Sequence, residues 1–157
     1  MKIREATNAD AKAVKDLVFG VLASYGLKPD PSNTDRDLDD LEAHYHQNGG
    51  YFAVLEADGV VIGSYGIYRF SAGECELRKM YLRPEFRGRG LGKLLLEHAL
   101  KRAEDLGFEV VCLETASVLK EAIALYLKYG FVPYRAEHLA SRCDQAYRKV
   151  LKRANPR

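Results

Sequence analysis

The sequence predicts a mixed α/β (α+β) fold, a mostly antiparallel sheet with helices on both faces. Three observations predict it. Residues 51–82 hold three strand-like runs separated by tight turns, which is an antiparallel meander. An amphipathic helix then opens at a glycine turn and is followed by a short apolar run at Val110–Glu114, which is a β-α-β crossover. The full order reads β-α-α-β-β-β-α-β-α-β-β, with no repeat, low-complexity tract or linker to divide it. Residues 1–152 therefore read as a single domain, and 153–157 as a frayed tail.

Each element has its own local cause. Residues 2–5 form a short strand. Thr7 with Asp10 makes a capping-box pattern, so a helix is expected from Asn8. Ala11, Val14, Leu17, Val18, Val21 and Leu22 follow the helical period, and Tyr25-Gly26 ends the run. The polar segment 28–34 contains two prolines and reads as a loop. A second helix is expected over Asp35–Gln47, with Leu38 and Leu41 inward and Asn48-Gly49-Gly50 as its stop. Asp58-Gly59 is a hairpin turn between Tyr51–Glu56 and Val60–Arg69. Ser71-Ala72-Gly73 leads into a third strand, Glu74–Leu82, whose alternation breaks at Met80-Tyr81-Leu82 and so suggests a bulge or a splay. A helix over Gly90–Leu106 carries Leu91, Leu94, Leu95, Ala99, Leu100 and Ala103 on one stripe, with Gly107 as its stop. Lys120–Tyr129 is a further helix stopped by Gly130, and Phe131–Tyr134 and Gln145–Leu151 read as closing strands.

Composition excludes several functions. The chain has 157 residues, 47% of them hydrophobic and 29% charged, and a formal net charge of +2. That balance predicts no bulk attraction to nucleic acid or to a membrane surface. The N-terminus has scattered charge and no apolar block, so no signal peptide is read there and a cytoplasmic location is expected. Cys75, Cys112 and Cys143 have no close spacing, which argues against a disulfide framework; the first two read as small core residues. His44, His46, His98 and His138 make no ligand pattern, so no metal is expected.

The most informative segment is Glu76–Gly92, in which a strand runs into a turn with Pro84 and then into Gly88, Gly90 and Gly92. Alternate glycines at a helix start leave the first N–H groups approachable at the positive end of the helix dipole. Arg87 and Arg89 add charge there, so the turn suits a phosphate or pyrophosphate. A dinucleotide site, with Glu114 as the ribose carboxylate, is the competing reading. The G-x-G-x-G spacing, the four residues RPEF before Arg87 and the meander upstream all oppose it. A Walker A loop is excluded because no Gly-Lys-Ser/Thr follows.

Arg87-Gly88-Arg89-Gly90-Leu91-Gly92 resembles the Q/R-x-x-G-x-G/A signature of the GNAT superfamily of acyl-CoA-dependent N-acetyltransferases. ELRKMYLRPEF looks like that family's fourth strand and exit turn, and Ala122–Phe131 is similar to its A-x-x-L-Y-x-K-x-G-F helix. The resemblance covers residues 1 to about 152. It implies a sheet whose central strands splay, with acetyl-CoA as co-substrate. The pyrophosphate would sit on the N–H groups of Arg87, Gly88, Arg89, Gly90, Leu91, Gly92 and Lys93, and the pantetheine arm along Met80, Tyr81 and Leu82. It implies direct transfer of the acetyl group to a primary amine within a ternary complex. A non-catalytic acyl-CoA-binding regulatory module of the same fold is the alternative, and a homodimer is possible.

Within that resemblance, Tyr126 is the candidate acid at the departing thiolate, and Glu76 is the candidate base, acting directly or through water. A fourth-strand N–H near Tyr81 or Leu82 would serve the oxyanion. Glu74 and Glu114 are the weaker carboxylates, and Glu114 could instead meet the amine. Leu119 stands where the family often has an Asn that contacts the cofactor, so that contact is either missing or supplied elsewhere, with Ser117 and Lys120 as candidates. The acceptor, a small-molecule or peptide amine, is expected to be held by the first two helices, the loop 28–34 and the C-terminal segment. His44, Tyr45 and His46 are candidates for its pocket, and the acidic run Asp30, Asp35, Asp37, Asp39 and Asp40 hints at a cationic amine.

Overall fold

The computed structural model describes residues 1–151, so the tail expected at 153–157 lies outside the described residues. Seven strands, β1 (Lys2–Glu5), β2 (Tyr51–Ala57), β3 (Val60–Arg69), β4 (Glu74–Leu82), β5 (Val110–Thr115), β6 (Val132–Pro133) and β7 (Gln145–Val150), form one sheet in the order β1-β2-β3-β4-β5-β7-β6. Every neighbouring pair is antiparallel except β4 and β5. The helices are α1 (Ala11–Ser24), α2 (Leu91–Asp105) and α3 (Lys120–Lys128).

Strand alternation divides the apolar residues between two cores, one on each face of the sheet. Ala53 and Leu55 of β2 join the core built with Leu91, Leu95, Leu96 and Ala99 of α2. Phe52 and Val54 join the other core, with Val14, Leu17, Val18 and Leu22 of α1. The stripe expected on α2 is corrected at one position: Leu94 is 44% exposed, and Leu96 is buried in its place. The helix opens at Leu91, so Leu94 falls on the solvent side of its first turn. Cys75 and Cys112 are buried, as small core residues should be.

The capping box at Thr7 forms: Ala9 N–H bonds the Thr7 hydroxyl and Thr7 N–H bonds Asp10. Its first turn is a 3₁₀ turn at Asn8–Asp10, and the α-helix begins at Ala11. The second helix expected over 35–47 is instead two short turns, a 3₁₀ turn at Arg36–Asp39 and a π-helical turn at Glu42–His46. Asp40 separates them in an extended conformation (φ −148°, ψ 84°). Its carboxylate accepts from Ala43 N–H at 3.0 Å and from the Asn8 amide at 2.9 Å, so it caps the second turn rather than continuing the first. Leu38, Leu41 and Tyr45 are all fully buried by this arrangement.

Two irregularities in the sheet place the site. β4 and β5 pair only through Glu74, Cys75 and Glu76 against Val110, Val111 and Cys112. Beyond that, among the described residues, β4 pairs only with β3 and β5 only with β7, so the two central strands splay apart. The second is a bulge in β4. Ser64 faces Tyr81 and Gly66 faces Arg78, which inserts one extra residue into β4. Lys79 takes up the insertion with φ +53°, and the Ser64 hydroxyl donates to its carbonyl at 2.7 Å. The broken alternation at Met80–Leu82 thus has both a bulge and a splay behind it.

Candidate active site

The splay opens into a cavity of about 960 Å³. Its floor is β4 from Glu76 to Leu82, and its far wall is the start of α3 and the segment between β6 and β7. Of the residues singled out from sequence, Glu76, Met80, Tyr81, Leu82, Arg87, Gly92 and Tyr126 line it. Gly88, Arg89, Gly90, Leu91 and Lys93 do not; Leu91 is instead buried in the α2 core.

The helix start is shaped as a bare turn. Gly90 is the N-cap of α2 with φ +77° and offers no side chain to the first-turn N–H groups. A β-carbon at Gly90 would touch nothing, so the glycine answers a backbone requirement rather than a lack of room. Gly92 differs: its φ is ordinary for an L-residue, and a β-carbon there would lie 3.7 Å from Leu125. Arg87 stacks over the Tyr25 ring at 4.9 Å and reaches the Leu82 carbonyl at 3.4 Å, while Arg89 lies over Phe86 at 5.2 Å. The uncapped N–H groups and these guanidinium groups make an electropositive end to the cavity.

At the other end stand the titratable groups. Tyr126 is 6% exposed and packs edge-on against Phe131 at 5.6 Å. Burial pushes its phenol well above the ordinary value, and Tyr81 and Cys143 nearby add to the effect. Burial also raises Tyr81 to about 12 and Cys143 to about 11. Glu76 is 7% exposed, and its Oε1 accepts from Arg78 Nε at 2.6 Å. Burial raises the Glu76 carboxyl, Arg78 opposes this, and the charge of Glu114 raises it further. Glu76 is thus both a partner of Arg78 and a cavity wall. Glu114 lines the cavity and accepts from Ala140 N–H at 2.8 Å, whereas Glu74 lies outside the lining.

Several residues were not identified from sequence. Lys79, buried at the bulge, reaches Asp35 at 3.4 Å, Asp37 at 3.2 Å and the Thr34 carbonyl at 3.2 Å. Arg142 grips Asp35 with two bonds of 2.8 and 2.6 Å. The acidic run is therefore partly neutralised from within, so Asp35 and Asp37 are not free to receive a cationic amine. His44, Tyr45 and His46 do not line the cavity: Tyr45 is in the core with its hydroxyl bonded to Asp37, and His46 Nε2 bonds the Ala6 carbonyl at 2.9 Å. Ser117 is held by Asp144 through two bonds of 2.8 Å, and Leu119 itself lines the cavity. Asp35 stands in the acidic run, but no local pattern marks its pairing with Lys79 and Arg142, because residues far apart in the chain meet only in the fold.

The profile of the Acetyltransferase (GNAT) family matches residues 20–131. The chain belongs to this family. It is 42% identical over 134 residues to the uncharacterized N-acetyltransferase YjgM of Escherichia coli (strain K12), covering 82% of this chain and 80% of that one. It is 32% identical over 124 residues to an uncharacterized N-acetyltransferase of Schizosaccharomyces pombe, covering 78% and 76%. A GNAT-family acetyltransferase of Staphylococcus aureus superposes with a TM-score of 0.89 at 19% identity, over 96% of this chain and 99% of that chain. A GNAT phosphinothricin acetyltransferase of Sinorhizobium meliloti, solved in complex with AcCoA, superposes with a TM-score of 0.72 at 23% identity, over 96% and 88%. The mixed sheet with splayed central strands is the GNAT fold. Among the described residues no helix is long and apolar enough to cross a membrane, and no group of three or more His, Cys, Asp or Glu is placed to hold a metal.

Proposed function

We propose that residues 1–152 act as one N-acetyltransferase domain that moves an acetyl group from acetyl-CoA directly to a primary amine. The observation that carries this reading is one cavity in the splay that is lined by Arg87 and Gly92 at the α2 turn and also by Tyr126 and Glu76. The N–H groups from Arg87 to Lys93 suit the pyrophosphate, with Gly90 supplying the left-handed turn. The unpaired edge of β4 at Met80, Tyr81 and Leu82 suits the amides of the pantetheine arm, as a sheet edge accepts an extended peptide.

In the reaction the amine nitrogen bonds the acetyl carbonyl carbon, and the C–S bond breaks to release a thiolate. Glu76 takes the amine proton. Its Oε2 carries no hydrogen bond among the described residues, and its raised pKa brings it nearer to the value that suits a base at neutral pH. An N–H of β4 near Tyr81 or Leu82 donates to the oxyanion. Tyr126 stays protonated and donates to the leaving sulfur. Its raised pKa makes complete proton transfer to a thiolate uphill, so it serves as a hydrogen-bond donor that stabilises developing charge.

Tyr126→Phe tests this. Turnover is expected to fall about a hundredfold while calorimetric affinity for acetyl-CoA holds. Unchanged turnover would remove the role of Tyr126, and no affinity for acetyl-CoA would remove the proposed function.

A further inference from the structure

We propose that the acceptor is a primary monoamine on an apolar, preferably aromatic, body, with its nitrogen held between Glu76 and Glu114 and its body against Phe70, Tyr134 and Leu139. The inference rests on the acetyltransferase reading and names its second substrate.

Charge comes first. Asp35 and Asp37, the buried acidic residues of the 28–40 segment, are occupied by Lys79 and Arg142. Arg87 and Arg135 line the cavity with no ion-pair partner among the described residues, so a second or third ammonium near either would meet a cation; Glu121, which accepts from the Tyr25 hydroxyl, and the exposed Glu137 are the other carboxylates in the lining. One carboxylate in the lining is differently placed. Glu114 is half-buried at the point where β5 leaves β4, forms no ion pair among the described residues, and is bonded only by the Ala140 N–H. Its charge reaches Glu76, which also lines the cavity, and Tyr134 senses both. Arg78 pairs with Glu76 and no cation pairs with Glu114 among the described residues, which leaves one unpaired negative charge beside the candidate base. That suits one ammonium, captured at Glu114 and deprotonated at Glu76.

The lining that holds this pair also carries exposed apolar side chains. Phe70 is 53% exposed and Leu139 39% exposed, yet both line the cavity mouth. Phe70 packs on Tyr68 at 5.6 Å, Tyr68 faces Glu76 across the β3–β4 ladder, and the Arg78 guanidinium that holds Glu76 lies 3.9 Å over the Tyr68 ring. From the other side, Leu139 precedes the Ala140 whose N–H fixes Glu114. Phe70 and Leu139 are both exposed and both line this cavity, and so leave apolar area that an aromatic body would cover.

The test compares 2-phenylethylamine, ethylamine and spermidine as acceptors, following thiol release from acetyl-CoA in the wild type and in Phe70→Ser, Leu139→Ser and Glu114→Gln. Phe70 and Leu139 are exposed, so their variants should fold. The expected result is that 2-phenylethylamine exceeds spermidine about tenfold or more in kcat/KM. Phe70→Ser should lower the 2-phenylethylamine to ethylamine ratio roughly three- to tenfold. Glu114→Gln should raise the amine KM without moving acetyl-CoA affinity. Preference for spermidine, or a ratio unmoved in both serine variants, overturns the inference and leaves acetyl transfer standing. Acetyl-CoA binding with no thiol release for any amine overturns the acetyltransferase reading, and this inference with it.

Discussion

Replacing Asp35 with asparagine should destabilise the fold by about 3 kcal/mol. The Asp35 side chain is fully buried and accepts two bonds from Arg142, one from the Asp30 N–H at 2.8 Å, and the charge of Lys79 at 3.4 Å. Removing one member of a buried ion pair costs about 3–5 kcal/mol because the partner is left uncompensated. The lower end applies here: Lys79 keeps Asp37, and an asparagine oxygen can still accept one bond. With a urea slope of about 2 kcal/mol/M, the midpoint should fall by about 1.5 M at neutral pH. The pH dependence has a defined sign. Burial pushes the Asp35 carboxyl up, but Arg142, the Asp30 N–H and Lys79 together hold it below the ordinary value. A depressed carboxyl contributes stability above its unfolded value of about 3.9, and that contribution is lost as pH falls through the folded value. The gap between wild type and variant should therefore close in acid. A loss below about 1 kcal/mol at neutral pH, or no coupling between Asp35→Asn and Arg142→Met in a double-mutant cycle, would refute the view that this pair locks the 28–40 segment to the 135–144 segment.

Other outcomes follow from the same geometry. Glu76→Gln should lower kcat/KM about a hundredfold and remove the acidic limb of its pH profile, a limb expected above the ordinary carboxylate range because burial raises Glu76. Gly90→Ala should cost about 1 kcal/mol from its left-handed backbone and reduce the thermal shift given by CoA. Gly92→Ala, with an ordinary φ and only Leu125 in contact, should retain CoA binding. Leu119→Asn places a capping side chain at an N-cap that has none, and should raise the denaturation free energy by about 1 kcal/mol.

The sequence made the skeleton legible where the signals were local. The Asp58-Gly59 hairpin, the Thr7 capping box and the glycine turn each act within a few residues, and each stands where it was expected. The segment 35–47 was misread because its buried positions also fit a helix; the Asp40 side chain, capping the turn after it, breaks that helix. Tyr45 was misassigned for a related reason, since its hydroxyl is bonded by Asp37 inside the core and not offered to a pocket. The cavity's ion pairs lay beyond reach altogether. Asp35, Lys79 and Arg142 come from three separate parts of the chain, and only the bulge at Lys79 turns its ammonium toward the two aspartates.

The join between β4 and β5 is three residue pairs long, and beyond it the sheet consists of two leaves, β1–β4 and β5–β7. A long hydrogen-bonded ladder resists wedging; a short one acts as a hinge. Slow amide exchange should therefore run continuously through β2 and β3 and thin out at this hinge. A ligand that laid its own amides along the open edge would stitch the leaves together, so that binding and sheet completion become a single event.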